Sequence, residues 1–434
     1  MATVSTQKST KSLLEIFNTT RERTLEIVQT LEKDDFVVQT AFYTSPPKWH
    51  IGHVSWLYEV VMSKTNPNYQ FYSKEFSEYL NSYYQQFGTP HDKGKRGIAS
   101  RPTVDQILEY FETINTRVRE FINSGVDEKA KYLLTMAFHH ECQHQELLTY
   151  DLQHLLADVY KPVKKIPRPQ ASQVEQKSIS IKGGLYSMGY NGADYSYDIE
   201  LPEHKIYLND YKIDVYPITN GQYLKFIEDG GYENFKFWLS DGWEKVKENN
   251  WKAPMYWIKE DQWYVQDFLG KREINPNEPV CHVSYYEAAA YSKWAGKRLP
   301  TEAEWEKACC WNEERQEKTI FPWGDEEPKE TQANLLESHF WAQAEIGSYP
   351  AGKSPAGCQQ MIGDIWEWTS SEFTGYPGFR TGFDEYNDKW FTNQKVLRGG
   401  SFGTPKMSIR GSYRNFFRLD ERWLFSGFRC AEDI

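Results

Sequence analysis

Val104, Ile107, Leu108, Phe111, Ile114, Val118 and Phe121 recur at steps of three and four residues, separated by polar and charged positions. That period puts them on one face of a helix that starts after Thr103. Thr103 and Gln106 stand at capping-box spacing, which marks the start. A second helix is expected after "SPP", with Ser45 as N-cap and Pro46 in the first turn. The stretch "SLLEIFNTTRERTLEIVQTLE" carries a broader amphipathic stripe, and a histidine-rich segment over about residues 130 to 157 makes a fourth helix. Four long helices with modest connections predict a bundle.

After these helices the texture changes. Residues 161–177, "KPVKKIPRPQASQVEQK", hold three prolines, five basic residues and little to bury, the composition of a linker. Beyond it, glycines, tryptophans and short alternating runs replace long helical periods. One clear helical stretch is left, "SYYEAAAYSKWAGKRLPTEAEWEKACC", with a break expected at Gly296. The expected organisation is a helical bundle over 1–160, a linker over 161–177 and an irregular α+β domain over 178–434.

Composition narrows the function classes. A hydrophobic share of 39% and a charged share of 26% in 434 residues fit a soluble globular chain. The net charge of −11 argues against nucleic acid or anionic membrane as a partner. No apolar run reaches the roughly 18 residues of a membrane span, and the N-terminus has no signal-peptide core. A cytoplasmic location is expected. The six cysteines show no C-x-x-C spacing, so reduced thiols are the plain reading.

Candidate chemistry sits in "AFHHECQHQELLTYDLQHLL". His140 and His144 are one helical turn apart and continue the apolar stripe formed by Leu133, Met136, Ala137, Leu147 and Leu148. In "PPKWHIGHVSWLYE", His53 lies beside Val54 and Leu57 on the expected inner face, with His50 three residues earlier. Packing the two helices together gives three inward imidazoles and leaves the rest of a metal's coordination sphere open. A hydrogen-bonded polar core is the competing reading of any one of these histidines. Glu146, roughly 200° around the helix from His144, is a supporting or structural group rather than a ligand. Spacing alone does not choose among zinc, nickel and ferrous iron.

These residues carry a resemblance. "HHECQHQE" and "WHIGHVSWLYE" resemble the motifs of DinB-like metal bundles. "GGLYSMG", "ITNGQY", "HVSYYEAAAYSKWAGKRLPTEAEWEKA", "FPWGD", "GDIWEWTSS", "LRGGSF" and "GFRCA" resemble the formylglycine-generating-enzyme (sulfatase-modifying factor) domain, a C-type-lectin-like fold. In this order the two resemble the EgtB-type sulfoxide synthases of ergothioneine biosynthesis. The resemblance implies an Fe(2+) enzyme that uses O2 to join a thiol to the imidazole of hercynine (Nα-trimethylhistidine), leaving a sulfoxide. It implies His53, His140 and His144 as ligands. Gln143, Asn415, Phe416 and Phe417 are implied at the hercynine, with Tyr376 and Tyr386 as further pocket candidates. Arg96 and Lys93 are implied at the carboxylate of the thiol donor, and Tyr84 or Tyr83 as proton donor.

Phe417 stands where members that use γ-glutamylcysteine carry an acid, and Phe383 where one subgroup has its tyrosine. Both departures resemble the subgroup that takes free cysteine. The rival readings are γ-glutamylcysteine or a selenium compound as the donor, and an ovothiol-type enzyme with unmethylated histidine in place of hercynine. From other classes, a formylglycine-generating oxidase would need a cysteine pair where this chain has Cys430 alone, and the histidine set argues against a non-catalytic lectin-like binding protein.

Overall fold

The computed structural model of this protein describes residues 11–82, 84–85, 89–169, 171–383 and 386–434. The chain forms two compact units, Met1–Leu148 and Thr149–Ile434. In the first, α1 (Leu13–Val28), α2 (Pro47–Thr65), the short α3 (Lys74–Leu80), α4 (Val104–Asn123) and α5 (Glu128–Leu156) provide the regular structure. The last residues of α5, from Thr149 onward, fall within the second unit.

In this unit α1 and α4 begin at capping boxes, Ser12 with Glu15 and Thr103 with Gln106. The buried face of α4 is Val104, Ile107, Tyr110, Phe111, Ile114, Asn115 and Val118; Leu108 and Phe121 are only half-buried. α2 starts one residue later than expected. Pro46, extended at ψ 148°, is its N-cap, and Pro47 is the first helical residue. A residue that precedes proline is driven out of the α region, so Pro46 cannot open the helix in front of Pro47. The Ser45 hydroxyl accepts from Arg96 Nη1 at 2.9 Å.

Every residue of α2 from Pro47 to Met62 is buried, which makes it the central helix of its unit. Gly52 lets neighbours come close. A Cβ there would lie 2.5 Å from Leu80 Cδ2 and 3.0 Å from Ile107 Cδ1.

The second unit is α+β. β1 (Ser178–Ile181), β4 (Tyr211–Asp214) and β14 (Ala431–Asp433) form one antiparallel sheet with β4 central, so the first and last strands of the unit flank the same neighbour. β2 (Gly184–Met188) pairs with β3 (His204–Leu208), and β5 (Trp257–Lys259), β6 (Trp263–Asp267) and β7 (Gly270–Glu273) form a meander. The short pair β8 (Trp311–Asn312) and β9 (Glu317–Lys318) follows. The largest sheet runs β12 (Arg414–Arg418), β11 (Gln394–Arg398), β10 (Trp366–Glu372), β13 (Ser426–Gly427), with only β10–β13 parallel.

Among the described residues four α-helices accompany them: α6 (Asn220–Glu228), α7 (Ser240–Glu248), α8 (Tyr285–Trp294) and α9 (Glu302–Cys310). The expected break falls between α8 and α9, where Gly296 takes φ +70°. α6 and α7 are additions to the sequence reading. Regular layers are short here, and buried ion pairs share the core. Glu302 and Glu306, one turn apart on α9, both bind Arg398 of β11, and Glu302 also binds Arg414 of β12. Arg429 pairs with Glu367 of β10 at 2.7 Å.

Candidate metal centre

The first unit gathers His53 from α2 with His140 and His144 from α5. One ligand atom from each lies within 4.8 Å of the others. Their ring centroids are 5.1, 4.6 and 4.5 Å apart, spacings that suit imidazoles sharing one ion at bonds of about 2.1 Å. His53 and His140 are buried and His144 is partly so.

The electrostatics favour the ligating form. Burial pushes His140 down to about 3. Burial first, and then the neighbouring imidazole of His140, hold His53 and His144 well below the usual histidine range. All three are neutral at pH 7, and a neutral ring offers a lone pair. His53 is also oriented for it. Its Nδ1 lies 2.6 Å from the Leu80 carbonyl, which can only accept, so Nδ1 carries the proton and Nε2 is left as the donor atom. His144 has its Nδ1 3.0 Å from Nδ1 of His50. Three neutral nitrogen donors with no carboxylate in the set fit a first-row divalent ion such as Fe(II), Ni(II) or Zn(II).

Aromatic rings hold the α2 side in place. Trp49 stacks on His53 at 4.5 Å and 11°, and Trp56 covers the other flank at 5.6 Å and 23°. Trp49 Nε1 donates to the Tyr79 carbonyl at 3.1 Å, which ties the indole to α3. The sequence reading passed over these two walls, although W-x-x-x-H-x-x-W is legible as one helical face. The Arg96 guanidinium lies 3.4 Å from the Trp49 ring centre, buried, so a cation, an indole and the His53 imidazole form a column.

The other residues implied by the resemblance are distributed as follows. Tyr84 is buried with its ring 5.7 Å from Trp56, and Asn81 pins its backbone through two hydrogen bonds of 2.8 and 2.9 Å. Tyr83 lies outside the described residues. Lys93 sits in an exposed turn, Lys93–Lys95, apart from the buried Arg96. Gln143 is half-buried next to His144 on α5, and Glu146 is buried.

In the second unit Asn415, Phe416 and Phe417 follow one another on β12, so the strand period sends Phe416 to the opposite face from its neighbours. Phe416 stacks on Phe373 at 3.9 Å, whereas the ring of Phe417 meets Trp423 and Tyr150 at 6.0 and 6.4 Å. The Tyr376 hydroxyl donates to Glu302 at 3.1 Å beneath Arg414, inside the ion-pair cluster, and burial pushes its ionisation well up. Tyr386 is buried, with ring contacts to Tyr197 and Phe383. Cys430 is fully buried, and burial raises its thiol.

Comparison with known proteins agrees with this division. The DinB superfamily matches residues 16–148, and the sulfatase-modifying factor enzyme 1-like domain matches residues 163–434. Hercynine oxygenase of Mycolicibacterium smegmatis is 32% identical over 428 residues, covering 95% of this chain and 97% of the relative. Hercynine oxygenase of Mycobacterium tuberculosis is 34% identical over 329 residues, covering 75% and 77%. Formylglycine-generating enzyme of Mus musculus is 30% identical over 297 residues, covering 62% of this chain and 77% of that one. A helical DinB unit followed by a sulfatase-modifying-factor domain, aligned almost end to end with a hercynine oxygenase, places this chain in the family of EgtB-type enzymes.

Proposed function

We propose that this chain is an iron(II)-dependent sulfoxide synthase that joins the sulfur of cysteine to the imidazole of hercynine, using O2, in ergothioneine biosynthesis. The observation that carries the reading is the cluster of three neutral imidazoles in a chain that matches hercynine oxygenases over most of its length. Iron(II), when held by His53, His140 and His144, supplies the redox chemistry that O2 requires and leaves positions for substrates. The reaction balances without an outside reductant. The imidazole C–H and the thiol S–H are lost, a C–S bond and an S=O bond form, and O2 ends as the sulfoxide oxygen and one water.

The chain's own residues divide the remaining work. Trp49, Trp56 and the Leu80 carbonyl fix the His53 ring, so a ligand geometry is set before substrate arrives. Arg96 brings a buried positive charge for the carboxylate of the thiol donor, and Lys93 stands in the exposed turn on the same loop. Tyr84, buried beside Trp56, is the assigned proton donor. Gln143, next to His144 on α5, is assigned to hercynine. Cysteine is the preferred donor because Phe417 leaves no acid at its position.

The test is an anaerobic iron(II)-loaded protein started with O2 in the presence of hercynine and cysteine, γ-glutamylcysteine or no thiol, with products read by mass. Hercynyl-cysteine sulfoxide, formed fastest from cysteine, is expected. Iron bound at one per chain with no coupled product from any thiol would overturn the reading.

A further inference from the structure

His50 lies three residues before His53 on α2 and is buried, with its ring edge-on to Trp49 at 5.6 Å and 79°. Its Nδ1 is 3.0 Å from Nδ1 of His144. A hydrogen bond between two imidazole nitrogens needs one donor and one acceptor. A neutral ring that offers a lone pair to an ion carries its proton on the other nitrogen. For His144 both conditions are met in one way: Nδ1–H donates to His50, and Nε2 is the nitrogen available to the cluster.

We propose that His50 is a positioning residue for the metal centre, accepting the Nδ1–H of His144 and so holding that ring in the tautomer and orientation that ligates through Nε2. This rests on the metal reading above. The pairing repeats on α5 what the Leu80 carbonyl does for His53 on α2, with a side chain in place of a main-chain acceptor. To accept at Nδ1, His50 carries its own proton on Nε2. Both rings hang from regular helices, so neither can turn without losing the hydrogen bond or its packing.

Two variants separate the hydrogen bond from the bulk. His50→Asn sets an amide oxygen close to where Nδ1 stands, and His50→Leu fills the space without an acceptor. Metal-free proteins are titrated anaerobically with Co(II) against a competing chelator, with His144→Ala as the reference for a lost ligand. The expected result is a 10- to 100-fold weaker affinity, to order of magnitude, for His50→Leu. His50→Asn is expected close to the unaltered protein, and product formation by His50→Leu should recover when iron(II) is in excess.

Thermal unfolding without metal controls for the fold. If His50→Leu binds Co(II) as the unaltered protein does, or if Asn and Leu lose affinity equally, the proposal is overturned. If His144→Ala binds at full strength, the metal reading itself fails and the inference with it.

Discussion

Glu141 stands beside His140 in the sequence yet points elsewhere, because one helical step turns the side chain by about 100°. Its carboxylate takes two hydrogen bonds of 3.2 Å from Arg21 Nη1, one of 2.8 Å from Tyr58 and one of 2.5 Å from Thr24. Arg21 also reaches Asn115 and Ser55, so the network ties α1, α2, α4 and α5 together behind the histidines. Both charges are buried, and removing one strands the other. Glu141→Ala should therefore lower stability by about 3–5 kcal/mol, read by urea unfolding, while a paired Arg21→Met, Glu141→Leu variant recovers most of the loss. The cluster histidines make the opposite prediction. His140→Ala or His144→Ala removes one of three donors without stranding a charge. Each variant should stay folded by circular dichroism, bind less than one metal per chain, and form no coupled product.

Among the elements, α2 decides where the third imidazole stands. Its close approach to α3 and α4 depends on Gly52, since a side chain there meets Leu80 and Ile107. Gly52→Val should cost about 1–3 kcal/mol through overpacking. It should also weaken metal binding, because Leu80 supplies the carbonyl that orients His53. Co(II) affinity that falls in step with a shifted melting temperature is the expected outcome, and unchanged affinity would detach the helix packing from the ligand.

The histidine triad was legible because i, i+4 spacing and an apolar stripe are local properties of one helix. So were α4 and its capping box. The start of α2 was misread by one residue, because two adjacent prolines each signal a first turn and only the second can occupy it. α6 and α7 were missed for their length. Each has nine residues, and α6 opens on Asn220-Gly221, which reads as a turn, although Thr219 and Gln222 form a capping box around it. The His50–His144 pair was illegible for a different reason. It depends on how two helices distant in sequence are rotated against each other, which no single-helix period contains.

At the scale of the whole molecule, the buried histidines make acid the condition to which the two units should respond unequally. His53, His140 and His144 lie in the first unit, and His282 and His154 in the second, where burial pushes His282 to about 3 and lowers His154 less. In each case the folded group titrates below its unfolded value of about 6.5. The unfolded chain thus binds more protons between those limits. Stability is fully present above about pH 6.5 and is lost as pH falls toward the folded value.

Carboxylates with lowered values, such as Glu306, release their share only nearer pH 4. Within the window from 7.5 to 5.5, however, the buried carboxyls that burial raises, Glu59 in the first unit and Asp364 in the second at about 6, gain stability as they protonate. They offset part of the imidazole loss. Across that window each histidine contributes a loss of at most about 1.4 kcal/mol before that offset, roughly 4 kcal/mol for the three of the first unit and less than about 2.7 for His282 and the less buried His154 of the second. In metal-free protein, hydrogen exchange corrected for intrinsic rates should show opening of α2 and the first part of α5 becoming easier by up to the larger amount. Protected amides around α8 should change by no more than the smaller one. Binding of an ion in the first unit adds to the contrast, because acid must then displace it before the rings can charge. Equal responses in the two units would mean that the three imidazoles are not held neutral as a group, and would remove the electrostatic basis for a preformed metal centre.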